Sequence, residues 1–295
     1  MTQPPSRSRT DSATPAPLLR YASVDPEARL SLPSGAYTTP SLSSSLLGAI
    51  AIMTAVYAPA FAFSGTPAGA VAWKYLTAFE HVPILIMFLS SWSVSMLTLK
   101  ALKIRAQRKA FQIRFAPDDP EWSIARGNAM QVVEAIESRV QGVEGFMYLH
   151  RVTSVLRTIR NVGRVSDVDE MLQSRADNDE LQIDGGYVVV KGFIWAIPVL
   201  GFIGTVAGLT TAIGKFGGVL NNKDADLRAI TSQLTQVIGG LDTAFVTTGE
   251  SLLAALSIHL FLTFLRRADD QFMDDCRDQC ARHVTGRVRV SGDGG

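Results

Sequence analysis

Charge is scarce in this chain, and so are cysteine and histidine. Of 295 residues only 19% are Asp, Glu, Lys or Arg, two are Cys and four are His. Average soluble domains carry about 25% charge at a similar apolar content, so the shortfall, with a positive mean hydropathy, leans towards a membrane protein. A net charge of +1 leaves no global basic signature for nucleic acid. Cys276 and Cys280 are too few for a disulfide framework and read as reduced thiols. Cys276-x3-Cys280-x2-His283 lacks a fourth ligand and the usual two-residue cysteine spacing, so no metal site is expected. No P-loop or nucleotide-binding motif and no internal repeat occurs. Residues 1–40 have no apolar run, which excludes a cleaved signal peptide. Their Pro, Ser, Thr and Ala content predicts a disordered tail.

The apolar residues are concentrated in four stretches, each long enough to span about 30 Å of hydrocarbon at 1.5 Å per residue. They are Leu46–Phe63, Val82–Leu99, Phe193 to about Ile213, and about Ala244 to Leu265. The first contains Pro59 and much alanine, and a buried or interfacial helix is its alternative reading. Lys100, Lys103, Arg105, Arg108, Lys109 and Arg114 follow the second stretch, and Arg266 and Arg267 close the fourth. By the positive-inside rule those flanks are cytoplasmic. The connector Ser64–His81 has one basic residue, Lys74, and Lys215–Thr243 mixes Lys215, Lys223 and Arg228 with Asp224, Asp226 and Asp242. Both fit the outer side, so both termini are expected inside.

The fold class expected is therefore all-α integral membrane, four transmembrane helices with a helical cytoplasmic loop domain between the second and third. The divisions are a 1–40 tail, 41–99 with the first two spans (46–63 and 82–99), a 100–192 cytoplasmic domain, 193–266 with the last two spans and an outer loop at about 215–243, and a 267–295 cytoplasmic tail. Within the loop domain Met130, Val133, Ile136 and Val140, then Val152, Val155, Leu156 and Ile159, recur at helical spacing. Asp118-Asp119-Pro120 marks a turn before them. Ser166 with Asp169 forms a capping-box pattern for a helix to about Asp179. GGYVVVKG, before the third span, reads as an extended lead-in.

The third span contains IPVLGFIGTVAGL, Ile197–Leu209. At 100° per residue Gly201, Thr205, Gly208 and Ala212 fall within about 60°, with Gly204 beside them. The bland reading is close packing, since small faces let backbones approach in lipid. Pro198 removes one backbone hydrogen bond. In the fourth span Ala244, Thr247, Thr248, Ser251 and Ala255 share an arc of about 100°, opposite Leu253, Leu256, Leu260 and Phe264. Two such faces can line a narrow passage or a groove for another helix. Glu250 inside the span is costly and marks a functional candidate; reaching water or a neighbouring chain is the alternative. His259 lies about 180° from Glu250, so the two form no intrahelical pair, and His259 reads as an interface residue. Glu80 and His81 read as interfacial.

GFIGTVAGL and AFVTTGESLLAAL resemble the last two helices of the MotA/TolQ/ExbB proton-channel family. The resemblance covers roughly Phe193–Phe264 and the general plan. It implies that Thr205, Thr248 and Thr247 border an ion pathway. Gly201, Gly204, Gly208, Ala212, Ser251 and Ala255 would form the pore-face packing, with the glycines leaving room for a helix of another protein. Ser251 stands where the family has a glycine. The glutamate of ExbB-like members falls at Thr243, leaving Asp242 and Glu250 as candidate auxiliary acids.

The resemblance further implies a channel-forming subunit of an ion-driven stator or motor in the bacterial inner membrane. A ring, usually of five copies, would enclose a MotB/TolR/ExbD-like single-span partner whose intramembrane aspartate carries the ion. H⁺ is expected over Na⁺, with no cofactor, no enzymatic activity and no nucleic-acid partner. The basic cluster after the second span would engage a rotor or only fix topology beside anionic lipid. The alternative function is a non-conducting oligomeric membrane scaffold.

Overall fold

The computed structural model describes residues 19–67, 69–71, 73, 82–113, 115, 122–125, 127–159, 165–221 and 227–289. Strand β1 (Leu19–Arg20) and the single-turn helices α1 (Tyr21–Val24) and α2 (Pro26–Arg29) lead to α3 (Leu42–Ala62) and α4 (Val82–Arg108). Helix α5 (Ala129–Arg139), strand β2 (Val140–Gln141), α6 (Met147–Thr158) and α7 (Val165–Gly185) follow. The chain closes with α8 (Val188–Asn221) and α9 (Leu227–His283). Helices α3, α4, α8 and α9 each carry a stretch long and apolar enough to cross a membrane.

Helix α4 is central to the spans, packing against α3, α8 and α9. Its contact with α3 is close and polar. The Trp92 indole donates to Ser45 Oγ at 3.0 Å, and a Cβ on Gly48 would come within 3.3 Å of the Ser95 Cβ. Trp92 also stands 5.2 Å from the Phe193 ring, linking α4 to α8. The rest of α3 shows Leu47, Ile50, Val56 and Phe61 outward, as a lipid-facing helix does.

Two helices are longer than a bilayer needs. Helix α9 has 57 residues, about 85 Å at 1.5 Å per residue. Beyond Leu265 its buried face continues with Phe272, Met273, Cys276 and Cys280, which pack in one core with Tyr148, Val152 and Val155 of α6. Past His283 the chain is pinned to Ile124, whose N–H donates to the Arg287 carbonyl at 2.6 Å. Residues 267–289 are therefore part of the helical domain and not a separate tail. The apolar spacing of the fourth span simply carries on past Arg267.

Other expectations are corrected in the same way. Residues 19–40 are not disordered: β1 pairs in parallel with β2, α2 docks against the foot of α4, and Tyr21 of α1 stands edge-on to Phe146 at 5.3 Å. The outer loop expected at about 215–243 is largely helical among the described residues, because Ile230, Leu234, Val237 and Leu241 recur at helical spacing. GGYVVVKG is helical from Val188, with Gly186 and Tyr187 making the turn after α7. The helix expected to reach about Asp179 is α7, which runs on to Gly185, and the side chain of Ser166 lies outside the described residues. Met130 is outside, 50% exposed; the buried face of α5 is Ala129, Val132, Val133 and Ile136. Residues 1–18, Lys74, Glu80, His81, Arg114, the Asp118-Asp119-Pro120 turn, Lys223, Asp224 and Asp226 lie outside the described residues.

The docking of residues 19–41 has an electrostatic cause. Lys103 and Glu27 are completely buried and pair at 2.6 Å, with Asp25 at 3.6 Å from the same ammonium. Glu27 also accepts from the backbone N–H groups of Gly35 and Ser41 at 2.9 and 2.8 Å and from the Ser44 hydroxyl. Burial alone would raise the Glu27 carboxyl, but the bond from Lys103, with those from Ser44, Gly35 and Ser41, holds it below its ordinary 4.5. Removing one member of such a buried pair costs about 3–5 kcal/mol, because the other charge is left without a partner. Lys103→Met is therefore expected to lower thermal stability in detergent by about that much, and a Lys103→Met/Glu27→Leu double variant to recover most of it. The Glu27 carboxyl titrates lower folded than unfolded, so its contribution is present above about pH 4.5 and fades as pH falls through the folded value. Proteolysis within residues 19–41 should accordingly rise on acidification below that pH, and Glu27→Gln should remove the acid dependence.

Candidate functional site

Helices α8 and α9 follow one another in sequence and pack antiparallel through small residues. Gly201, Gly204, Gly208 and Ala212 on α8, and Ala244, Thr247, Ser251 and Ala255 on α9, are all buried. A Cβ on Gly201 would stand 2.7 Å from the Ser251 Cβ and 3.3 Å from the Thr248 Cα. One on Gly204 would stand 3.3 Å from Thr247 Cγ2 and 3.2 Å from Val82 of α4. Lipid offers no hydrophobic force between helices, so this close approach is what joins them. It also corrects the expectation that these glycines leave room for a foreign helix. At Gly201 and Gly204 the room is filled from the same chain, by α9 and α4.

At the edge of this contact the half-buried Thr205 and Thr248 hydroxyls hydrogen-bond to each other. Thr248 Oγ1 also donates to the Gly201 carbonyl at 2.8 Å, and Thr205 Oγ1 lies 3.2 Å from that oxygen. Each hydroxyl has a single proton. The pattern that satisfies both has Thr205 donating to Thr248 and Thr248 to the carbonyl, which leaves lone pairs on Thr205 for water or an ion. Thr247 is not at this edge; it is buried, with its methyl group over Gly204.

The acids expected to assist are not gathered at the threonines. Asp242 and Glu250 are exposed, about 120° and 160° around α9 from Thr248. The side chain of Thr243 is outside the described part. Cys276 and Cys280 are free and buried, while His283 faces the Phe115 ring at 6.0 Å.

Sequence reasoning missed the charged groups that register the spans. Lys100 pairs with Asp269 of α9 at 3.0 Å, its ammonium lies 4.2 Å over the Tyr187 ring, and the Tyr187 hydroxyl donates to Asp269 at 2.8 Å. A lysine after a span reads first as topology, and only the remote aspartate discloses the pair. A cavity of about 480 Å³ lies between α7 and the end of α9, lined by Arg151, Gln173, Arg277 and Cys280 among others. Its arginines are already paired, Arg151 with Asp179 and Arg277 with Glu180, each at 2.7 Å.

Gly201 is the position where the site is most exposed to a small change. Gly201→Val is expected to push α8 from α9 and break the threonine hydrogen bond. A cysteine pair placed at Gly208 and Ala244 should cross-link more slowly in that background, whereas Gly214→Ala, where a Cβ meets nothing within 4 Å, should leave the rate unchanged.

Residues 150–278, which run from within α6 to within α9 and hold the threonine pair and the Asp269 anchor, match the model of the MotA/TolQ/ExbB proton channel family. No curated protein and no solved structure matches the chain. With four helices able to cross a membrane and that match over the two of them that form the site, the chain is a multi-pass membrane protein whose residues 150–278 belong to the MotA/TolQ/ExbB proton channel family.

Proposed function

We propose that this chain is the channel-forming subunit of a proton-driven motor complex. Copies of it, five by family resemblance, surround a MotB/TolR/ExbD-like single-span partner whose intramembrane acid carries the ion. The complex sits in a bacterial inner membrane with both termini, the α5–α7 domain and the inner half of α9 in the cytoplasm. The chain holds no cofactor and performs no enzymatic reaction; its substrate is H⁺. One charge crossing 100 mV releases about 2.3 kcal/mol, so several protons per cycle drive substantial mechanical work.

The observation that carries this reading is the Thr205–Thr248 pair at the edge of the α8–α9 contact, inside the segment matched by the family. Pure packing is served by Gly and Ala, as at Gly201 and Ala255. Two hydroxyls bonded to one another at a half-exposed edge offer oxygen atoms to a passing proton without a fixed charge to trap it. A non-conducting scaffold is the second reading, favoured by the closeness of the small faces themselves.

Thr248→Val keeps the shape and removes the hydroxyl. It is expected to cut partner-dependent proton uptake by an order of magnitude or more while the complex purifies at unchanged size. Undiminished uptake would refute the role given to that hydroxyl. Co-purification with a single-span protein bearing an intramembrane aspartate, together with a subunit count, separates the motor from the scaffold.

A further inference from the structure

Helix α9 carries a second polar line that the threonine pair does not explain. Taken every three or four residues from Thr248, one stripe passes through Leu252, Ala255, His259, Thr263, Arg266 and Asp270. Thr248 and His259 are only about 20° apart around the helix and, at 11 residues, about 16 Å apart along it. From His259 onward every member of the stripe is polar. His259, Thr263, Arg266 and Asp270 are all exposed in the single chain. Leu256 and Leu260 beside them, and Leu253 and Phe264 further round the helix, are apolar and exposed too. An imidazole left in hydrocarbon is costly, so this stripe belongs to a surface that water or another subunit covers.

Two features of the packed helices point the same way. The stripe ends on an ion pair, Arg266 with Asp184 at 3.1 Å, beside Asp270. The antiparallel register that places Thr205 opposite Thr248 also places Ile194 of α8 level with His259. Pro198 has no N–H to give to the Ile194 carbonyl four residues before it. The one helix carbonyl that proline frees thus lies at the depth of the histidine.

Resting on the proton-channel reading above, we propose that His259 is a proton relay in the half of the path between the threonine pair and the Arg266–Asp184 mouth. One ring nitrogen accepts a proton from water on the Thr248 side, and the other releases one towards Thr263 and the mouth. A shift of tautomer or a ring flip restores the starting state, so no bond other than N–H and O–H is made or broken. The Thr263 hydroxyl is held to the His259 carbonyl at 2.9 Å, which leaves its lone pairs as the next acceptor.

The test uses the complex purified on the full-length chain, reconstituted in liposomes containing a pH-sensitive dye and driven by a potassium diffusion potential. His259→Gln, which keeps a hydrogen-bonding side chain but does not titrate, is expected to lower proton entry at least tenfold with the complex at its normal size. His259→Ala is expected to show the same loss and to regain flux with added imidazole. Flux within twofold of the unaltered complex in His259→Gln, while Thr248→Val loses it, overturns the relay and leaves the channel reading standing. If neither variant changes the flux, or the unaltered complex admits no protons, both fall. Loss of assembly, or loss of flux that imidazole does not restore, assigns His259 to packing and overturns the relay.

Discussion

Two lysines one turn apart at the foot of α4 hold the molecule together. A buried ammonium is tolerated only when acids and hydrogen-bond acceptors surround it, and Lys100 and Lys103 obtain theirs from opposite parts of the chain. Lys103 draws in Glu27 and Asp25, and with them the whole segment before α3. Lys100 draws in Asp269 of α9, and Asp269 in turn takes the Tyr187 hydroxyl at the start of α8. Three of the four membrane helices and the N-terminal segment therefore meet at one level, where the spans become the helical domain.

That junction controls the site from a distance. Thr248 and Asp269 lie on one unbroken helix, 21 residues or about 32 Å apart. Anchoring Asp269 fixes the rotation of α9, and with it the angle at which Thr248 meets Thr205. The glycines of α8 complete the arrangement, since only a residue without a Cβ lets the backbones come close enough for the two hydroxyls to bond. Below the junction the same helix supplies Phe272, Met273, Cys276 and Cys280 to the core built by α6. Motion of the α5–α7 domain thus has a stiff connection to the threonines, and a second through residues 19–41 to α3.

Much of this is legible in the residues taken alone. Long apolar runs locate the four spans, and the spacing of Gly201, Thr205, Gly208, Thr248 and Ser251 marks two small faces with hydroxyls, because helical periodicity is a local property. Three things are not legible. Charged residues at Lys215–Thr243 and after Arg266 read as loop and tail, although a helix begun by the span continues through them. Residues 19–40 look too polar to fold, since their acids acquire worth only against Lys103. The glycines read as open clearance, because a sequence does not disclose which helix fills the gap.

By itself the sequence determined the four spans, the small hydroxylated faces and the family to which they belong, all properties of neighbours within a few turns. Only the tertiary structure decided that Lys100 and Lys103 are buried ion-pair centres rather than topology signals. It alone decided that Gly201 faces Ser251 of its own chain. The physical reason is common to the lysines and the glycine. The free energy of a buried charge or a missing Cβ depends on the group packed against it, and here that group lies some 50 to 170 residues away along the chain.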